Sequence, residues 1–164
     1  MTQSLKIQWP DLYQPDHCPV HVRNELDMTT APACVWAWLT HPTLWPAWYV
    51  NASNVQMLES GGPDLQQGTR FRWKTFGVTI TSTVLEYVPG KRIAWNAKGL
   101  GVDAYHAWLL QPSALGCWVL TEETQHGWLA RLGNLFLPKR MHKYHQIWLE
   151  GLARKAGEGL PPVS

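Results

Sequence analysis

Two histidines and one carboxylate, His106, His145 and Glu123, alternate or recur in step with apolar and aromatic residues. A histidine beside a carboxylate in an apolar setting is an acid/base pair. The carboxylate raises the imidazole pKa and burial lowers it. His106 lies in Tyr105-His106-Ala107-Trp108-Leu109-Leu110, and Glu123 in Val119-Leu120-Thr121-Glu122-Glu123-Thr124-Gln125. Successive residues of a strand point to opposite sides. Joining these two strands through residues 111–116 predicts Leu110 opposite Cys117, Trp108 opposite Val119 and His106 opposite Thr121. His106, Trp108, Leu110, Val119, Thr121, Glu123 and Gln125 then share one face, with His106 and Glu123 as diagonal neighbours. Proton transfer by that pair is one reading; a structural hydrogen bond is the plainer one. A register slip of one residue would turn both groups outward. His145 falls on an apolar helical stripe with Met141 and Trp148, so it is expected to face the sheet, near His106 or a ligand. His142 and His145 have metal-ligand spacing, but no HExxH motif or cysteine partner accompanies them, and no metal site is expected. GxSxG, GxxxxGK[ST] and helix-preceding GxGxxG motifs are absent, and no cofactor is called for.

The elements that must position these groups can be read from periodicity and punctuation. Residues 1–18, with Pro10 and Pro15, read as an extended arm able to pack through Ile7, Trp9 and Tyr13. Residues 19–28 alternate as a strand. Thr30 is a candidate N-cap for a helix over 33–40, with Pro32 in its first turn and His41-Pro42 as its stop. Residues 44–49 read as a second short helix or turn, 55–58 as a strand, and Ser60-Gly61-Gly62-Pro63-Asp64 as a turn. An antiparallel meander follows, with strands over 69–75, 78–88, 92–97, 104–111 and 117–125. Parity puts Phe71 and Trp73 inward and leaves Arg70, Arg72 and Lys74 in water, since burying three cations is costly. It groups Val78, Ile80, Ser82 and Val84 on one face, and turns Ile93, Trp95 and Ala97 inward. From Trp128 the period becomes helical through Leu129, Leu132, Phe136, Met141, His145, Trp148 and Leu152. Pro138 must kink that helix or split it. The tail over 158–164 is expected to be flexible. One domain over 19–157 accounts for the whole pattern.

Composition narrows the function. A chain of 164 residues builds one core without staples. A net charge of +2, with one basic cluster at Lys139, Arg140 and Lys143, argues against nucleic acid. Three scattered cysteines and no apolar leader predict a cytoplasmic protein with reduced thiols. No apolar run of about 18 residues exists, so stable membrane insertion is not expected. Eleven tryptophans are many for this length: they either fill the core or line an aromatic cavity.

The order and local text resemble one superfamily. Asn24-Glu25-Leu26 is followed by Ala31-Pro32, Val35-Trp36-Ala37-Trp38-Leu39, Trp45-Pro46-Ala47-Trp48-Tyr49 and Gly68-Thr69-Arg70-Phe71. Then come Val88-Pro89-Gly90-Lys91-Arg92-Ile93-Ala94-Trp95, His106-Ala107-Trp108 and Thr121-Glu122-Glu123. Over residues 19–156 this is similar to the START / polyketide cyclase / birch-pollen-allergen superfamily (SRPBCC). The resemblance implies an α+β helix-grip fold: a curved antiparallel β-sheet wrapped around a long C-terminal α-helix, with two short helices after the first strand. It implies a cavity for lipids, sterols, polyketides or hormones. It supplies no catalytic residue, because the superfamily has no shared triad. The expected partner is a small hydrophobic molecule, and the expected state a monomer or weak homodimer. Phe71, Trp73, Ile80, Trp95, Trp108, Phe136, Met141 and Trp148 would give apolar contact, while His106, Thr121, Glu123 and His145 would orient a polar group. The Pro138 break is a candidate gate. A cyclase, dehydratase or hydrolase using His106 with Glu123, and a ligandless interaction module filled by its own tryptophans, are the alternatives.

Overall fold

A computed structural model describes residues 6–59 and 61–162. Met1–Leu5 of the arm, Ser60 of the predicted turn, and Val163 and Ser164 of the tail lie outside the described residues. Seven strands form one antiparallel sheet: β1 (Val20–Met28), β2 (Ser53–Met57), β3 (Arg70–Thr75), β4 (Val78–Val88), β5 (Arg92–Gly99), β6 (Val102–Pro112) and β7 (Cys117–His126). Their order is β1-β7-β6-β5-β4-β3-β2, so the chain crosses the sheet once and then meanders. Helix α1 (Pro32–Leu39) and a 3-10 turn (Pro42–Ala47) connect the two edge strands. Helices α2 (Trp128–Phe136) and α3 (Arg140–Gly157) close the chain. This is the helix-grip arrangement, and Pro138 divides α2 from α3 instead of bending one helix.

Local chemistry explains the boundaries. Pro32 sits at the first helical position, so Ala31 takes the cap place and makes no side-chain cap bond. Thr30 is one residue too early to cap, which corrects the expectation for it. Between β3 and β4 the two-residue turn Phe76-Gly77 has φ of 50° and 79°, the mirror-image turn that matches strand twist. A register shift between Val84 and Glu86 bends β4 against β5. The outer edge strand β2 is irregular as well, with a shift between Ser53 and Gln56 and Asn54 at φ 52°. Phe71 and Trp73 are buried while Arg70, Arg72 and Lys74 are exposed, as parity requires.

The central strands β6 and β7 are buried on both faces. Helix α3 covers one face, turning His145, Trp148, Leu149, Leu152 and Ala156 inward. On the other face Ile7, Trp9 and Tyr13 pack against Ala94, Tyr105 and Ala107. The Tyr13 hydroxyl donates to Asp103 Oδ1 at 2.6 Å, and the Thr124 hydroxyl donates to the Tyr13 carbonyl at 2.9 Å. The arm is therefore a strap, with 3-10 turns at Asp11–Tyr13 and Pro15–His17. Past α3 the chain stays anchored at Gly159, whose carbonyl accepts the Trp38 indole N–H at 2.7 Å.

The core centres on Trp148. Its ring stacks on Tyr49 at 4.4 Å and 11°, and lies 5.1 Å from Trp45, 5.1 Å from Trp108 and 5.8 Å from Trp73. Most of the indole surface is spent on packing of this kind.

Candidate functional site

A cavity of about 170 Å³ remains between the sheet and the α2–α3 segment. Trp73, Ile80, His106, Glu123, Met141, His145 and Trp148 line it, with Tyr49, Val78, Val102, Leu129 and Arg140. Its exposed lining residues are Gly133, Asn134, Leu137, Pro138 and Arg140, so it opens where α2 meets α3. The remaining candidates stand elsewhere. Phe71, Trp95 and Trp108 are fully buried in the packed aromatic cluster behind it. Thr121 lies behind His106. Phe136 is 73 % exposed and points away from the cavity, against the expectation that it would touch a ligand. The expected stripe carried one face across the Pro138 break, whereas α2 is a separate helix with Phe136 on its exposed side.

The hairpin register differs from the predicted one by two residues. Leu110 pairs with Val119, Trp108 with Thr121 and His106 with Glu123. Strand β6 continues through Pro112, which pairs with Cys117, and Ser113 N–H donates to the Gly116 carbonyl at 3.1 Å. The loop is shorter than the one assumed. A shift of two preserves parity, so the predicted face survives and His106 and Glu123 become direct cross-strand partners rather than diagonal ones.

At the inner end of the cavity the three ionisable groups meet. His106 Nδ1 lies 3.2 Å and His145 Nε2 3.0 Å from the same carboxylate oxygen, Glu123 Oε2. The two imidazoles stack at 4.8 Å and 14°. Gln125 donates its amide to Glu123 Oε1 at 2.7 Å. His106 Nε2 lies 2.7 Å from the Thr121 hydroxyl. One assignment satisfies this network: His106 donates Nδ1–H to Glu123 and accepts from Thr121, and His145 donates Nε2–H to Glu123. Strand parity on β7 was the available signal for Gln125, two residues from Glu123. No local sequence signal marked Tyr49, which reaches the cavity only through the fold.

Burial drives the His106 pKa well below the ordinary imidazole range; Glu123 opposes this and His145 adds to it. For Glu123 burial acts upward, but His106, His145 and Gln125 outweigh it and the net direction is down. A neutral His106 cannot attract the carboxylate as a full charge. The N–H bonds donated by His145, Gln125 and His106 are therefore what hold Glu123 ionised. The nitrogens of His106 and His145 and the Glu123 carboxylate come within 4.8 Å of one another, the donor set a zinc- or iron-like ion would use. To bind an ion, both imidazoles would have to give up the N–H they direct at Oε2.

A curved sheet gripping a long helix, with a cavity between them, defines the class of the molecule as SRPBCC. Within it, the chain belongs to the family described as polyketide cyclase / dehydrase and lipid transport, whose model matches residues 19–157. The solved structure of hypothetical protein jhp0584 from Helicobacter pylori is similar over 95 % of this chain and 99 % of that one, with 29 % identity and a TM-score of 0.86. TTHA0849 from Thermus thermophilus shares the fold at 18 % identity and a TM-score of 0.70, covering 85 % of this chain and 98 % of that one. The di-domain ARO/CYC StfQ from the steffimycin biosynthetic pathway shares it at 17 % identity and 0.69, covering 85 % of this chain and 51 % of StfQ. No curated protein is matched.

Proposed function

We propose that the chain binds a small aromatic or otherwise apolar molecule that carries a hydroxyl or enol oxygen. One observation carries this reading. Among the described residues, the buried side-chain atoms without a hydrogen-bond partner include Trp148 Nε1 and His145 Nδ1. Both residues line the cavity and lie three apart on α3. An indole N–H is a donor, and the Nδ1 of an imidazole that donates through Nε2 is an acceptor. Buried polar groups of this kind call for partners. A hydroxyl is donor and acceptor at once, the chemistry these two atoms lack. The cavity volume is close to that of an engineered cavity of about 150 Å³ that takes up benzene, so one ring, or the leading ring of a longer molecule, matches it. The free cysteines fit a reducing, cytoplasmic setting.

Native mass spectrometry of freshly purified protein, followed by tryptophan quenching with phenolic and polyketide-like compounds, tests the proposal. The expected result is saturable quenching that weakens about five- to tenfold in His145→Leu and in Trp148→Phe. Equal affinity for a phenol and its deoxy analogue would sink it.

A second reading rests on the carboxylate between two imidazoles: proton transfer in a cyclisation or dehydration. Turnover of a polyketide-like compound, lowered at least about a hundredfold in Glu123→Gln, is its signature. Saturable binding without turnover leaves the chain a binder.

A further inference from the structure

Helix α2 presents its greasy side to water. Trp128, Leu132, Leu135 and Phe136 follow one another at steps of four, three and one, and share a helical face. Their exposures are 58, 43, 71 and 73 %. The opposite side carries Ala130, which is buried, with Gly133 and Asn134 along the cavity. Two more exposed leucines stand nearby. Leu137 follows α2 at the cavity mouth, and Leu100 lies in the β5–β6 turn next to Gly101, where an added Cβ would come within 2.7 Å of the Trp128 ring.

Charge says what covers this face. Between Glu123 and Glu150 the chain has no acidic residue, yet it carries Arg131, Lys139, Arg140 and Lys143. All four are exposed. None of the four joins an ion pair among the described residues, and Arg140 lies over the Phe76 ring at 5.1 Å. A second copy of this chain on the patch would set these cations against their own like. A neutral groove would give them no partner.

We propose that α2 and the α2–α3 connection dock on an anionic lipid surface. The leucines, Phe136 and Trp128 enter the boundary of headgroups and acyl chains, and the four cations meet lipid phosphates. The docking is peripheral: no helix among the described residues is long and apolar enough to cross a membrane. The same segment frames the cavity mouth, so a docked molecule opens its cavity toward the bilayer.

The test is co-flotation of the full chain with vesicles of phosphatidylcholine, alone or mixed with phosphatidylglycerol. Binding is expected on the mixed vesicles only, declining as salt rises. The double charge reversal Lys139→Glu with Lys143→Glu lowers vesicle affinity by at least about tenfold, and Leu135→Ser with Phe136→Ser abolishes binding. These side chains are exposed, so circular dichroism should match the parent, and Leu85→Ser on the sheet should bind as the parent does. Three outcomes overturn the proposal: no flotation with mixed vesicles at low salt, unchanged binding after charge reversal, or a stable dimer that buries α2 and excludes vesicles. Flotation needs no cavity ligand and quenching needs no vesicle, so failure here is distinct from failure of the cavity reading.

Discussion

Glu123 is the residue on which the interior turns, because a buried carboxylate survives only while its donors stay in place. Its pKa and that of His106 both lie below their unfolded values, so the unfolded chain binds protons first as pH falls. Stability is then full above about pH 7, begins to fall below the unfolded imidazole value of about 6.5, and falls faster once unfolded carboxyls near 4.3 also take up protons. The unfolding free energy from urea titration should drop from pH 7 to pH 4, by up to about 1.4 kcal/mol per pH unit for each proton, with the midpoint falling in step, and less steeply in His106→Gln. A midpoint that stays level over that span would contradict the buried network. Thr121→Val tests one link in it: loss of the hydroxyl facing His106 Nε2 should cost about 1 kcal/mol in denaturant unfolding. The face shared by His106, Thr121, Glu123 and Gln125 was legible because strand parity is insensitive to a two-residue shift. The register itself was not, since it depends on a turn whose residues, Ser113 to Gly116, fit more than one loop length.

Among the elements, α2 and its surroundings depend on a close crossing of backbones. Gly127 has φ of 109°, and a Cβ there would come 2.2 Å from the Gly101 carbonyl oxygen. Gly127→Ala should therefore destabilise by about 3 kcal/mol or more, and hydrogen exchange should accelerate first in α2. Uniform loss across the sheet, with α2 still protected, would show that this crossing does not hold the helix. The meander, the C-terminal helix and the break at Pro138 could be read from period and punctuation. The two-sided burial of β6 and β7 could not. Ile7, Trp9 and Tyr13 showed that the arm had something to bury, but which face it covers is set by the path of the whole chain. Phe136 illustrates the same limit: its place on an apolar stripe was visible, but the rotation of a separate α2 was not.

At the scale of the whole molecule, tryptophan count alone could not separate filling from lining, and the structure does both. Trp45, Trp95 and Trp108 fill, while Trp73 and Trp148 do both tasks at the edge of the cavity. Trp148→Ala should cost about 3–5 kcal/mol, and added indole should restore part of the lost melting temperature by occupying the new space. Failure of indole to raise the variant's melting temperature would mean that the core collapses into the gap. A different consequence follows from β2. With Asn54 in a left-handed conformation and its ladder to β3 interrupted, that strand offers no straight row of free amides and carbonyls to a newcomer. Concentrated solutions should therefore resist fibril growth by strand addition at this border, a safeguard written into the irregularity of one short strand.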